Sequence, residues 1–164
     1  MKKTVVIIGT LDTKGPELAY LRDRLQDLGL RTTVVDSGIL GEPLDIVPDN
    51  SHAEAATYGG ATIEALQNAG SRGRAVHGMR GALKKLTAHL YADGKLDGIV
   101  SMGGAEGAVM GAAAMMVLPV GVPKVLVSPI ASGYHFFEPL GALIKTGPTH
   151  TNVCDLRVAV VDRD

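Results

Sequence analysis

The fold is decided by residues 96–117, which read LDGIVSMGGAEGAVMGAAAMMV. A short apolar run through Ile99 and Val100 breaks into clustered glycines, and apolar residues then recur at helical spacing. This pattern predicts a strand, a tight turn and a helix. Glycines let a ligand approach the backbone closely, and the start of a helix offers free N–H groups at the positive end of the helix dipole. The unit therefore predicts an anion site, with phosphate as its natural ligand.

The candidate contacts in this unit are the residues of its loop and helix start, namely Gly103, Gly104, Ala105, Glu106 and Gly107. Their spacing is only part of the dinucleotide pattern G-x-G-x-x-G, and the chain contains no G-x-x-x-x-G-K-[ST] sequence. The alternative is that the glycines simply let the helix pack closely on its sheet. A carboxylate at the helix start also satisfies the dipole itself, and it repels phosphate unless it holds a cation.

Upstream, the sequence predicts two further strands with a helix between them. Residues 4–8 are apolar and mostly β-branched, which is typical of a central parallel strand covered on both faces. The next seven residues, GTLDTKG at 9–15, predict a turn, and Pro16 suits the first position of the following helix. Residues 31–36 predict the second strand, which ends at Asp36 and Ser37. In dinucleotide-binding sheets an acid at this point binds a ribose hydroxyl, although many such aspartates only cap a turn.

The remaining segments complete an alternating pattern. Residues 41–73 contain prolines and turn residues and predict an excursion outside the core, with a short helix from residue 52 capped by Asn50 or Ser51. Apolar residues at 3-4-3-4 spacing from Val76 to Leu90 predict a long amphipathic helix that ends near Gly94. Further strands are predicted at residues 122–128 and 156–161.

Alternating strands and helices predict an α/β fold: a Rossmann-like three-layer domain with a mostly parallel sheet and right-handed crossovers. Ligands of such sheets bind beyond the carboxyl ends of the strands. These ends, which we call the carboxyl rim, comprise residues 9–14, 36–38, 101–107 and 128–133, and all four are rich in small polar residues. The opposite ends show no such set, so the carboxyl rim is the predicted binding site.

Composition limits the possible partners. The 164 residues suit one domain, and the net charge of −1 with scattered Lys and Arg argues against a nucleic-acid partner. The apolar runs are too short to cross a bilayer, and no signal peptide is visible. The single Cys154 cannot form an internal disulfide, which agrees with a reducing compartment. The sequence thus predicts a cytoplasmic protein with no membrane and no nucleic acid.

Several separate stretches carry a resemblance to a known family. They read GTLDTKG at 9–15, VDSG at 35–38, RGRA at 72–75, MGG at 102–104, LPVGVPK at 118–124 and ASG at 131–133. Together they resemble the ATP-binding domain family named after the plant tobamovirus resistance protein. The resemblance implies a Rossmann-like domain that binds ATP at the carboxyl rim, with Thr10, Asp12, Thr13, Lys14 and the Gly103 loop as binding positions. It also implies that residues 1–164 form one nucleotide-binding domain, comparable to the N-terminal half of a two-domain architecture.

This sequence departs from the family pattern in its glycine loop. The family loop is similar to GGSGGT, whereas residues 103–108 read GGAEGA, so two hydroxyls are replaced and a carboxylate is gained. The expected ligand is a nucleotide or another small anion, with ATP as cofactor, accompanied by Mg²⁺. The candidate binding residues are Gly9, Thr10, Asp12, Thr13, Lys14, Asp36, Ser37, Arg72, Gly103, Gly104, Ala105, Glu106, Gly107 and Ser132.

Three functions remain open from the sequence. In the first, the carboxyl rim holds ATP, Lys14 neutralises phosphate charge, and Asp12 or Glu106 holds Mg²⁺. In the second, an enzyme subunit acts on a small organic acid through Ser128, Ser132 and His135, without nucleotide turnover. In the third, the chain is an assembly domain that catalyses no reaction. No residue is assigned a catalytic role.

The sequence also predicts a homo-oligomer or a separate partner chain that supplies the second domain. Gly, Ala and Met abound at positions 108–116; small side chains let another helix approach closely, and methionine packs adaptably against irregular surfaces. The alternative is that this helix is buried against its own sheet, as helices that are apolar on all sides commonly are.

Overall fold

The computed structural model describes residues 2–128 together with two short strands near the C-terminus. The strands are β1 (Thr4–Gly9), β2 (Arg31–Asp36), β3 (Gly98–Met102), β4 (Lys124–Val127), β5 (Ile144–Lys145) and β6 (Arg157–Val158). The helices are α1 (Leu11–Asp27), α2 (His52–Tyr58), α3 (Ile63–Gln67), α4 (Arg72–Ala92) and α5 (Ala105–Met115).

The main sheet has four parallel strands in the order β2-β1-β3-β4. β1 and β3 occupy the two central positions, which confirms the topology predicted from their apolar character. Alternate residues of β1 face opposite sides: Val6 and Ile8 join a core formed with α2 to α5, whereas Ile7 joins a core beneath α1. The fold is therefore the predicted α/β, Rossmann-like arrangement of helices on both faces of a parallel sheet.

The first helix begins earlier than predicted. α1 starts at Leu11, which is fully buried in the core beneath the sheet, so most of the predicted turn at residues 9–15 is helical. The helix is interrupted at Lys14, whose φ of −127° and ψ of 16° are not helical. Pro16 then continues the helix beyond this kink. The prediction was wrong about the start because burial of Leu11 adds a turn that the glycine-rich sequence does not signal.

The segment after β2 contributes to the core, which corrects its predicted place outside it. α2 has the predicted cap, in which the Ser51 hydroxyl accepts the Glu54 amide and the Glu54 carboxylate accepts the Ser51 amide. Ala56 of α2 and Ile63 and Leu66 of α3 are buried in the core with α4. These helices are short and rich in alanine, so their sequence lacks the strong apolar period from which a buried helix is inferred.

The small residues of α5 pack within the chain. Ala108, Met110 and Ala114 are buried, and a Cβ added at Gly111 would collide with the Ser101 side chain of β3. The sequence allowed two roles for these small residues, an oligomer contact or close packing of α5 on its own sheet, and this packing is the second of them. The homo-oligomer stays a prediction that rests on other grounds.

Near the C-terminus, β5 and β6 pair antiparallel as a separate two-stranded sheet. The predicted strand at residues 156–161 is thus described only at Arg157–Val158, outside the main sheet. Ser132, His135 and Cys154 lie outside the described residues. Among the helices described, none combines the length and hydropathy needed to cross a membrane.

Candidate functional site

A cavity of about 930 Å³ lies at the carboxyl rim, beyond β1, β2 and β3. Its walls come from the start of α1, the loop after β2, the segment joining α3 to α4, the first turns of α4, and the start of α5. Nine predicted site residues line it, namely Thr10, Asp12, Thr13, Ser37, Arg72, Gly104, Ala105, Glu106 and Gly107. The cavity therefore brings together residues from four separate stretches of the sequence.

Four other predicted residues do not line the cavity: Gly9, Lys14, Asp36 and Gly103. The fourteenth candidate, Ser132, lies outside the described residues, and Ser128, which the enzyme alternative names, is buried. The side of the cavity away from the strand ends was not predicted. It is formed by Ile39, Leu40, Gln67, Asn68, Gly70, Ser71, Ala75, Val76 and Met110. Of these, Gln67, Asn68 and Val76 belong to no quoted stretch, and the tertiary packing of α3 and α4 brings them to the site.

The start of α5 presents free backbone amides to the cavity. Its N-cap, Gly104, has no side chain to accept a hydrogen bond, and the first helical bond runs from the Ala108 amide to the Gly104 carbonyl at 2.8 Å. The preceding N–H groups of Ala105, Glu106 and Gly107 have no partner within the helix. A Cβ at Gly104 would meet no atom within 4 Å, so the space in front of this helix is open.

Gly103 has a structural role beside this site. Its amide donates to the Val127 carbonyl at 3.2 Å, and a Cβ there would lie 2.8 Å from the Cα of Gly107. The close approach of strand end and helix thus requires glycine at position 103. The alternative offered by the sequence, that the glycines serve packing, holds for Gly103 but not for Gly104.

The start of α1 borders the same cavity. Its N-cap, Thr10, makes no side-chain capping bond; instead the hydroxyls of Thr10 and Thr13 lie 2.8 Å apart. The Leu11 amide donates to Asp36 Oδ1 at 3.2 Å. Both helices therefore begin at the cavity and direct the positive end of their dipoles toward it. In α1 the amides of Leu11 and Thr13 are already bonded, to Asp36 and to the Thr10 carbonyl, whereas the start of α5 presents free amides.

Asp36 is a buried connection between cavity walls. Its Oδ1 accepts the amides of Leu11 and Gly38, the latter at 2.8 Å, and its Oδ2 lies 3.3 Å from His52 Nδ1. Burial raises the pKa of Asp36, an effect that the hydrogen bonds from Gly38 and Leu11 partly offset. With 1% of its surface exposed, Asp36 holds the backbone at Leu11 and Gly38 in place.

The charges near the cavity differ in whether they are paired. Arg72 at the start of α4 donates from Nε to Glu106 Oε2 at 2.6 Å, which connects the first turns of α4 and α5. Lys14 Nζ lies 2.9 Å from the Glu17 carboxylate, so the Lys14 charge is balanced by a residue that does not line the cavity. By contrast, Asp12 has no ion pair within the described part of the chain, and its Oδ1 is buried without a hydrogen-bond partner.

Ser37 is a second unpartnered group at the cavity. Its side chain is fully buried and its Oγ has no hydrogen-bond partner. Over residues 2–128 no three His, Cys, Asp or Glu side chains lie close enough together to hold a metal by themselves. The cavity thus offers free amides and two oxygen groups that lack partners.

Comparison with known proteins places most of the chain in one family. Residues 3–137 match the family model described as "Uncharacterised protein family (UPF0261) N-terminal domain". A UPF0261 protein of Clostridium tetani is 39% identical over 133 residues, which cover 81% of this chain and 33% of that protein. A UPF0261 protein of Rhizobium meliloti is 37% identical over 131 residues, covering 80% and 32%.

A plant protein is also similar. The "ToMV susceptible protein tm-1(GCR26)" of Solanum lycopersicum is 28% identical over 145 residues, which cover 79% of this chain and 19% of that protein. The chain spans about a third of the length of the bacterial relatives it matches.

Proposed function

The chain belongs to the UPF0261 family as an N-terminal domain, and we propose that it binds ATP in the cavity at the carboxyl rim. The observation that carries this proposal is the start of α5, which has no side-chain cap and presents its free amides to the same cavity toward which the dipole of α1 points. Unpaired N–H groups under a helix dipole bind phosphate oxygens without requiring a lysine or arginine at the same place.

The size and lining of the cavity also support a nucleotide. Ligand cavities typically measure about 300 to 1,000 Å³, and this cavity of about 930 Å³ is large enough for a nucleoside triphosphate. Hydroxyls and free amides lie where the strands end, whereas Ile39, Val76 and Met110 provide apolar surface elsewhere in the lining. We infer that the phosphates contact the polar region and that the base packs on the apolar region.

The stretches that resemble the tobamovirus-resistance ATP-binding domain support the same ligand. Those at 9–15, 35–38, 72–75 and 102–104 each contribute residues to the cavity. The similarity to the tomato protein agrees with this resemblance in family. Binding of ATP suits a cytoplasmic protein, as predicted from the composition.

Calorimetric titration with ATP in the presence of Mg²⁺ tests the proposal. We expect saturable binding of one ATP per chain, with AMP and adenosine binding more weakly because they lack the outer phosphates. In a thermal-shift assay, ATP at about 100 times its dissociation constant should stabilise the fold by about 2.7 kcal/mol. Absence of both heat and thermal shift at millimolar ATP would refute ATP binding.

Substitution at Gly104 locates the phosphate site. Gly104→Asp and Gly104→Asn each supply a side-chain cap to α5, and position 104 has room for a side chain, so both should raise the free energy of unfolding by about a few tenths of a kcal/mol. Only the aspartate places a negative charge at the helix start. We therefore expect Gly104→Asp to weaken ATP binding more than Gly104→Asn, measured by calorimetry. Equal losses in the two variants would place the phosphates away from α5.

A further inference from the structure

We propose that Asp12 is the protein ligand of the Mg²⁺ that accompanies ATP, an inference that rests on the proposed function. Asp12 lines the cavity from the first turn of α1. Its Oδ1 is buried and has no hydrogen-bond partner. A buried carboxylate oxygen without a partner is costly, because such groups are normally hydrogen-bonded, paired or bound to a metal.

A second buried oxygen without a hydrogen-bond partner supports a cation beside Asp12. Ser37 follows β2, lines the same cavity and is fully buried, and its hydroxyl has no partner. Mg²⁺ takes oxygen ligands and usually binds through one or two carboxylates plus phosphates and water, so a complete cage of protein ligands is not required. Asp12 and Ser37 together offer the type of oxygen that such a cation prefers.

The charges decide between the two acids of the cavity. Glu106 is paired with Arg72 and is partly exposed, so its charge is already balanced. Asp12 has no cationic partner in the described ranges, 2–128 and the two short strands. A bare carboxylate beside the phosphates repels them, whereas a divalent cation between the two groups reverses the sign of the interaction. Asp12, and not Glu106, is therefore the expected ligand.

The test is a comparison of ATP affinity in Mg²⁺ and in EDTA for the wild type and for Asp12→Asn. For the wild type, we expect Mg²⁺ to strengthen ATP binding by at least about tenfold. In Mg²⁺, Asp12→Asn should bind ATP more weakly than the wild type, because a ligand of the cation is lost. In EDTA it should bind ATP more tightly than the wild type, because the repulsion between the carboxylate and the phosphates is lost. A residue that only supports the fold would weaken binding under both conditions.

Two further variants complete the experiment. Glu42→Gln removes an exposed carboxylate that does not line the cavity, although its neighbour Gly41 packs against Asp12. This variant should therefore retain the wild-type ratio of ATP affinities in Mg²⁺ and EDTA. Ser37→Ala removes the orphaned hydroxyl without changing charge. We expect it to weaken ATP binding several-fold in Mg²⁺ and to leave binding in EDTA unchanged, which provides a test that does not depend on the folding of Asp12→Asn.

The outcomes separate this inference from the proposed function. A wild type that binds no ATP in either condition overturns the proposed function. A wild type that binds ATP equally in Mg²⁺ and EDTA leaves ATP binding in place and overturns the assignment of Asp12. The assignment also fails if Asp12→Asn retains the wild-type ratio, or if Ser37→Ala loses affinity equally in both conditions.

Discussion

Among single residues, Asp36 connects two walls of the cavity. Its carboxylate fixes the Leu11 amide at the start of α1 and the Gly38 amide after β2. These two backbone segments carry Asp12 and Ser37, the groups proposed to meet the cation. Asp36 thus influences the proposed cation site indirectly, through the backbone amides that it binds.

The pH dependence of stability should reveal the buried state of Asp36. Burial raises its pKa above the ordinary value of 3.8, so the folded protein holds this proton more tightly than the unfolded chain. The contribution of Asp36 to the free energy of unfolding is therefore present below its ordinary pKa and is lost as the pH rises through the raised pKa. Asp36→Asn does not titrate and keeps an oxygen for the two amides. We expect the wild type to lose stability relative to this variant as the pH rises, measured by urea unfolding between about pH 4 and pH 7.

Glu54 supplies a control of opposite sign. Hydrogen bonds from the Ser51 amide and hydroxyl lower the pKa of Glu54 below its ordinary value of 4.5. Its contribution is therefore present above that value and is lost as the pH falls through the lowered pKa. Relative to Glu54→Gln, the wild type should lose stability on acidification.

The Asp36 prediction fails if the difference in free energy of unfolding between the wild type and Asp36→Asn does not vary with pH. That result would show that Asp36 keeps an ordinary pKa in the folded state.

Among the secondary-structure elements, α5 depends on its close approach to β3. A Cβ at Gly111 would collide with Ser101, whereas a Cβ at the exposed Gly81 of α4 would meet no atom within 4 Å. Gly111→Ala should therefore lower the free energy of unfolding by about 1 to 3 kcal/mol. Gly81→Ala should raise it by about 0.5 to 1 kcal/mol, because alanine favours the helix. Chemical denaturation measures both, and a stabilising Gly111→Ala would contradict the tight packing of α5.

The elements that could be predicted from the sequence are those with a strong pattern. β1, β3 and α4 follow from unbroken apolar runs and a clear helical period. α3 was missed because five residues are too few to establish a period, and the start of α1 was misplaced because burial of Leu11 outweighs the local turn signal. Tertiary packing supplied what the local pattern lacked.

In the whole molecule, parallel topology made about half of the site predictable. Strands that run in one direction place their following loops together, so the contributions of Thr10, Ser37 and Gly104 could be inferred from the order of elements. The opposite wall could not, since Gln67 and Val76 reach the cavity through the packing of α3 and α4. The pairing of Lys14 with Glu17 also depends on side-chain geometry that the sequence does not specify.

Because distant stretches form one cavity, ligand binding should be detected in several elements, but only at the carboxyl end of the sheet. With Mg²⁺ and ATP, we expect slower amide hydrogen exchange at residues 10–13, 37–40, 67–72 and 104–107, since a bound ligand restrains every wall that it contacts. The turns at Gly29, Gly94 and Gly121 lie at the opposite ends of the strands and serve as internal controls. Hydrogen exchange followed by mass spectrometry measures both sets. Protection confined to a single wall would indicate a ligand bound elsewhere than in the cavity. Equal protection at the control turns would indicate a general gain in stability instead of contact at the carboxyl rim.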